Sequence, residues 1–266
     1  MRIRAIAFLT FSGFLRNKLM IFFVALFAVV VLLMMTPLML FKAQAGAPGM
    51  PHTESMVLGL IGSIMSLLSG FGSLLAAWAA ADAVWSDIRS GTILAVLARP
   101  VRRWEFLLGK FLGVQLLMAA YVLMMLALSY LLAAIGGEHI HPAPWLLIVY
   151  PLLRYALYSA LAMLLASVMH PIVSFAIMLV IMVLETIAAP GSRAPYLPAW
   201  LKAGLYAVLP SPDLLSETRF LTITEASLKR TPALNHLTAL AYGLDWTLVF
   251  FLLAAWLFSR RSLVRD

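Results

Sequence analysis

Cysteine is absent from the 266 residues, which excludes disulfides, thiolate metal sites and a cysteine nucleophile. Charge is scarce: 11% of residues are charged while 64% are hydrophobic, and the mean hydropathy is +1.00. A soluble domain of this length needs a far more charged surface, so the chain reads as an integral membrane protein. Acidic residues are the scarcer sign, 11 against 19 Lys and Arg, for a net charge of +8. In a soluble protein that excess would suggest nucleic acid; in a membrane protein it reflects cytoplasmic loops loaded with cations, and no nucleic-acid partner is expected. A phosphate-binding G-x-x-x-x-G-K-[ST] loop is also missing. Gly109-Lys110 lacks both the earlier Gly and the following Ser or Thr. The five His show no recurring ligand spacing, Glu138, His139 and His141 in one short loop being weak grounds for a metal, and the Met residues are scattered as packing filler. No metal and no cofactor are expected in the chain itself.

What is abundant is long apolar runs. About 20 such residues cross the hydrocarbon as a helix, and the runs Leu19–Phe41, Met56–Ala81, Leu112–Ile135, Trp145–Val168, Ile172–Ala189 and Ala239–Ser259 meet that length. The expected architecture is an all-α, single-domain, six-span membrane protein over residues 1–266. Ala43-Gln44-Ala45 resembles a signal-peptide cleavage site. The apolar run before it exceeds the roughly 7–15 residues of a signal core, so it is read as an uncleaved span. His170-Pro171 is the only break between the fourth and fifth spans, which makes them a tight hairpin.

The cations set the orientation. Arg2, Arg4, Arg16 and Lys18, then Arg89, Arg99, Arg102, Arg103 and Lys110, then Arg260, Arg261 and Arg265 fall on one side, which places both termini in the cytoplasm. Lys42 is alone in the first outer loop, and the long loop from Pro190 to His236 holds five cations at positions where length weakens the rule. Residues 1–18 mix four cations with Ile6, Phe8, Leu9, Phe11, Phe14 and Leu15, and are read either as an interfacial helix on membrane lipids or as a basic flank. The outer loop 190–236 is too long for a simple connector. Pro198 to Leu209 predicts a short amphipathic helix with Trp200, Leu201, Leu205 and Val208 on one side, and Thr231-Pro232 predicts the start of the last helix. In the second span, Gly59, Ser63, Ser66, Gly70, Ser73 and Ala77 form a strip of small side chains for close helix packing, within the subunit or at an interface. Three ionisable residues, Arg154, Glu185 and Asp245, lie within or near spans. A lone cation there is costly, so Arg154 is expected to pair with Glu185 or Asp245, as a structural tie or as part of a substrate or proton path.

The segment between the second and third spans, 82–110, departs most from its surroundings. Asp82 and Asp87 end one helix near Trp85; Gly91 breaks it and Thr92 caps another. Thr92–Ala98 is about two turns of largely apolar helix, stopped at Arg99-Pro100, and Arg102-Arg103-Trp104-Glu105 opens the third span. An apolar helix at the membrane edge needs cover, either the lipid interface or a partner protein.

The run Asp87-x-Arg89-x-Gly91-Thr92-x-Leu94-x-x-Leu97-x-Arg99-Pro100-Val101-x-Arg103-x-Glu105-x-x-x-Gly109-Lys110 resembles the coupling segment of type-2 ABC transporter permeases. Their usual pattern is an acidic helix end, Gly-Thr, a Leu-rich turn, Pro-Val-Ser-Arg and a closing Gly-Lys. Arg102 stands where Ser is frequent, which removes a helix cap. The six spans, the basic first segment and the closing Phe258-Ser259-Arg260-Arg261 agree with the same family. The resemblance implies that Thr92–Ala98 is a coupling helix seated on a separate ATP-binding subunit, which holds the ATP and magnesium. It also implies two permease copies, identical or related, in a bacterial or archaeal cytoplasmic membrane, with no catalysis by this chain. The function implied is export. Two alternatives stay open: a scaffold passing ATP-driven motion to an outer-side partner protein, as in permeases of cofactor maturation, and a secondary transporter independent of ATP.

Overall fold

The computed structural model describes residues 2–44, 53–89, 102–136, 144–188, 198–208, 215 and 233–260. Eight α-helices follow one another there: α1 (Arg2–Leu15), α2 (Lys18–Gln44), α3 (Thr53–Arg89), α4 (Arg103–Gly136), α5 (Pro144–Val168), α6 (Pro171–Ala188), α7 (Ala199–Val208) and α8 (Ala233–Arg260). Within them, Gly62–Asp87, Arg103–Ile135, Leu147–Val168 and His236–Arg260 are long and apolar enough to cross a membrane. Helix is the only economical backbone for such sequence, because in hydrocarbon each N–H and C=O must find its partner inside the segment.

Helix boundaries follow local chemistry. α1 closes with Arg16 N–H on the Gly13 carbonyl and Asn17 N–H on that of Phe14, and the chain turns into α2. The α5–α6 turn is Met169-His170: Met169 N–H still reaches Leu165, and the His170 carbonyl accepts from Ser174 one turn into α6. Pro171 opens α6, where its missing N–H has no intrahelical role. Pro198 does the same work for α7, its carbonyl accepting from Leu201 and Lys202. Leu201 and Leu205 of α7 are half-buried and α7 packs on α6, but Trp200 is 74% exposed and does not share the packed side, contrary to expectation. A step of one residue turns the helix by about 100°, enough to carry that ring off the contact.

α3 and α4 are longer than their apolar runs require. At 1.5 Å per residue, the 37 residues of α3 and the 34 of α4 span about 56 and 51 Å, against a hydrocarbon thickness of about 30 Å. Both project at the same end of the bundle, α3 beyond Ala81 and α4 before Leu112. α5 lies at the centre, packed against α3, α4, α6 and α8. Tyr150, Tyr155 and Tyr158 on α5 are almost wholly buried.

Close approach of α5 to α3 depends on Gly72. A methyl group there would collide with the Tyr155 hydroxyl and, at 2.6 Å, with the Tyr121 ring. Of the small-residue strip foreseen on this span, Ser73 and Ala77 are buried in that packing, while Ser63 and Ser66 are exposed.

Candidate functional site

α3 ends and α4 begins around a partly buried ion pair. Lys110 Nζ lies 2.6 Å from Asp87 Oδ2, with the side chains 10% and 21% exposed. Lys110 also sits over the Phe106 ring, 5.6 Å from its centroid. The acidic and basic residues that frame the segment singled out in the sequence thus meet, which brings the end of α3 and the start of α4 together at one point. Gly91, Thr92, Leu94, Leu97, Arg99 and Pro100 lie outside the described residues; Arg89 is the last residue of α3.

The start of α4 is capped without the usual Ser. Arg102 occupies the cap position, its carbonyl accepting from Glu105 and Phe106 N–H groups, and its own N–H donates to Glu105 Oε2 at 3.0 Å. This is the reciprocal half of a capping box, kept when the hydroxyl half is lost. Glu105 also places a negative charge in the first turn, where the helix dipole favours it.

Arg103 turns to the other end of the chain. Its Nη1 donates to the Ser259 carbonyl at 2.9 Å, next to the last described residue of α8. Phe106 stacks on Phe258 with centroids 6.2 Å apart, and Phe111 meets Phe251 at 5.2 Å. Arg260 covers the Trp256 ring at 4.0 Å. α4 and α8 are therefore joined by a charged hydrogen bond and two aromatic pairs.

α1 docks on the same half of α4. Ile6 and Thr10 approach Gly109 and Gly113, where a methyl group would lie 2.7 Å from Ile6 Cγ2 and 2.6 Å from Thr10 Cβ. Thr10 turns its hydroxyl inward to the Ile6 carbonyl at 2.8 Å, so the buried contact leaves no idle donor. On the far side, Trp85 meets His170 edge to face at 4.8 Å and links α3 to the α5–α6 turn. One end of the bundle thus brings together α1, the end of α3, the start of α4, the α5–α6 turn and the end of α8.

A second polar group lies deeper. Arg154 Nη1 donates to Ser69 Oγ at 3.1 Å and its guanidinium lies 5.9 Å from the Tyr158 ring centroid. The Tyr158 hydroxyl donates to Glu185 Oε2 at 2.5 Å, with Glu185 itself buried. The cluster joins α3, α5 and α6. Asp245 is exposed on α8. Tyr158 and Ser69 escaped the sequence reading, although Tyr158 stands four residues after Arg154, on the same helical face. The Tyr150 hydroxyl and His236 Nδ1, 2.8 Å apart, make a further, partly buried link between α5 and α8 that no sequence signal announced. Among the described residues, no group of three or more His, Cys, Asp or Glu could hold a metal ion.

No curated protein matches the chain. The family model described as ABC-2 family transporter protein matches residues 4–263, nearly the whole chain. The all-α bundle, its long apolar helices and this match agree, and the chain belongs to the ABC-2 transporter family as a multi-pass, non-catalytic permease subunit.

Proposed function

We propose that this permease has six spans, α2 to α6 and α8, with both termini in the cytoplasm, and that it works as an exporter driven by a separate ATP-binding subunit. The basic end of the bundle is then the cytoplasmic end, as the positive-inside rule asks of Arg4, Arg16, Arg102, Arg103 and Arg260. Thr92–Ala98 is the coupling helix, and ATP and magnesium belong to the partner. Two permease copies, identical or related, form the pathway.

The observation that carries this reading is the Asp87–Lys110 pair at the base of the coupling segment. A displaced coupling helix pulls on α3 and α4 together there, and Arg103, Phe106 and Phe111 pass the load to α8. A loop attached at one compliant strand would dissipate it. The buried Arg154–Tyr158–Glu185 cluster serves in this reading as an internal tie of α5 to α3 and α6, because Arg154 reaches Ser69 on α3 and Tyr158 reaches Glu185 on α6.

The test is co-purification with candidate ATP-binding subunits, followed by ATP turnover in the complex. Replacing Leu94 and Leu97 together with Asp places two charges in the apolar seat. Complex formation and turnover should fall by at least about tenfold, since desolvating an unpaired charge costs several kcal/mol. Unchanged assembly and turnover would sink the coupling-helix assignment.

A further inference from the structure

Between α2, α3 and α4 lies a cavity of about 210 Å³ whose walls are almost entirely apolar. Phe23 and Phe27 line it from α2, Phe71 and Leu75 from α3, and Leu117 and Tyr121 from α4. Tyr121 offers only its ring, because its hydroxyl donates to the Leu68 carbonyl at 2.6 Å. An apolar cavity of roughly 150 Å³ already stays dry and takes up a hydrocarbon guest. Water has no partner here, so the space is either empty or filled by something greasy.

The cavity has a polar end. Leu15, the last residue of α1, is part of its wall and is followed by the exposed Arg16. A much smaller neighbouring cavity shares Phe23, Leu75 and Leu117 with this one and has Asn17 and Trp78 in its walls. The Trp78 indole N–H is buried with no hydrogen-bond partner among the described residues. The greasy slot thus has a buried donor in the wall of the adjoining cavity and an exposed cation next to Leu15.

We propose that this slot is the seat of one phospholipid from the leaflet at the basic end of the bundle. Its acyl chain fills the space between α2, α3 and α4, an ester carbonyl accepts from Trp78, and its phosphate faces Arg16. Charge complementarity makes an anionic lipid the preferred occupant, and the ester offers the indole donor an acceptor that the described residues do not. The seat does not depend on export or on ATP coupling.

The experiment is native mass spectrometry of the full chain released from bilayers of phosphatidylglycerol and phosphatidylcholine mixed equally. Wild-type chain should retain one phospholipid through mild delipidation, with phosphatidylglycerol favoured about fivefold by a single cation at the headgroup. Ala120→Phe fills the slot from α4, where Ala120 is an exposed wall residue, and should strip the retained lipid. Leu131→Phe adds bulk on the same helix at an exposed position outside the cavity and should leave it in place. Arg16→Gln should keep the lipid but abolish the preference. No retained lipid on the wild type, or equal occupancy in Ala120→Phe, overturns the proposal. So does a dimer that Ala120→Phe dissociates when the wild type carries no lipid, since a second copy then covers this face. Should Ala120→Phe fail to fold, Arg16→Gln decides alone, and an unchanged lipid preference overturns the seat.

Discussion

Lys110 sits about two helical turns into α4 and is buried, where a cation needs a reason. That reason is Asp87, and each charge is acceptable there because of the other. Replacing Lys110 takes from Asp87 its charged partner in a partly dry site. Lys110→Met should therefore lower stability by about 1–3 kcal/mol, below the 3–5 of a fully buried pair because Asp87 keeps some solvent. Asp87→Leu combined with Lys110→Met should recover part of that loss, an interaction that a double-mutant cycle of unfolding midpoints in detergent reads directly. If the double variant is no more stable than Lys110→Met alone, the two residues do not act as a pair. Arg102 teaches a related lesson. Judged by residue type it forfeits a cap, yet Glu105 retains the half of the capping box that needs only the Arg102 backbone N–H.

At the scale of elements, what the sequence makes legible is what local chemistry decides. The starts of α4, α6 and α7 fall beside Arg102, at Pro171 and after Pro198, because proline geometry and end-capping act within a few residues. Which faces touch was not legible. α3 and α4 are apolar nearly all round, so no amphipathic stripe separates the lipid-facing side from the packed side. Small residues then mark close approach only in general: the strip read through Gly70 has open space at that glycine, whereas Gly72, two residues on, receives two tyrosines. The docking of α1 is a similar case, since Gly109 and Gly113 gain meaning only when Ile6 and Thr10 are known to be their neighbours. Gly113→Leu should displace α1, at about 1–3 kcal/mol for an overpacked contact. Gly13→Leu is the matched control, because nothing lies within 4 Å of a methyl group there. Limited trypsin digestion after Arg16 should be several-fold faster in the first variant and unchanged in the second. Equal cleavage would show that α1 does not rest on α4.

For the whole molecule, the question is which parts move together when the coupling segment is displaced. The Arg103–Ser259 bond and the stacked Phe106–Phe258 pair tie residues 258–259 of α8 to groups from the first turn of α4. Separating the two helices would break that hydrogen bond and expose the buried Phe106 and Phe258 rings at once, whereas moving them together keeps both contacts. α4 and α8 should therefore travel as one body through the transport cycle. The lack of native cysteine makes this directly testable. Trp104, 44% exposed, and Ser259, which meets Arg103 through its backbone carbonyl, can both become Cys without touching the Arg103 contact. Bridging Trp104→Cys and Ser259→Cys with a short thiol-reactive linker should leave the ATP turnover of the assembled complex unchanged, before and after reductive release. A linker that arrests turnover reversibly would mean that α4 and α8 must part during the cycle, and that Arg103 is a latch which opens.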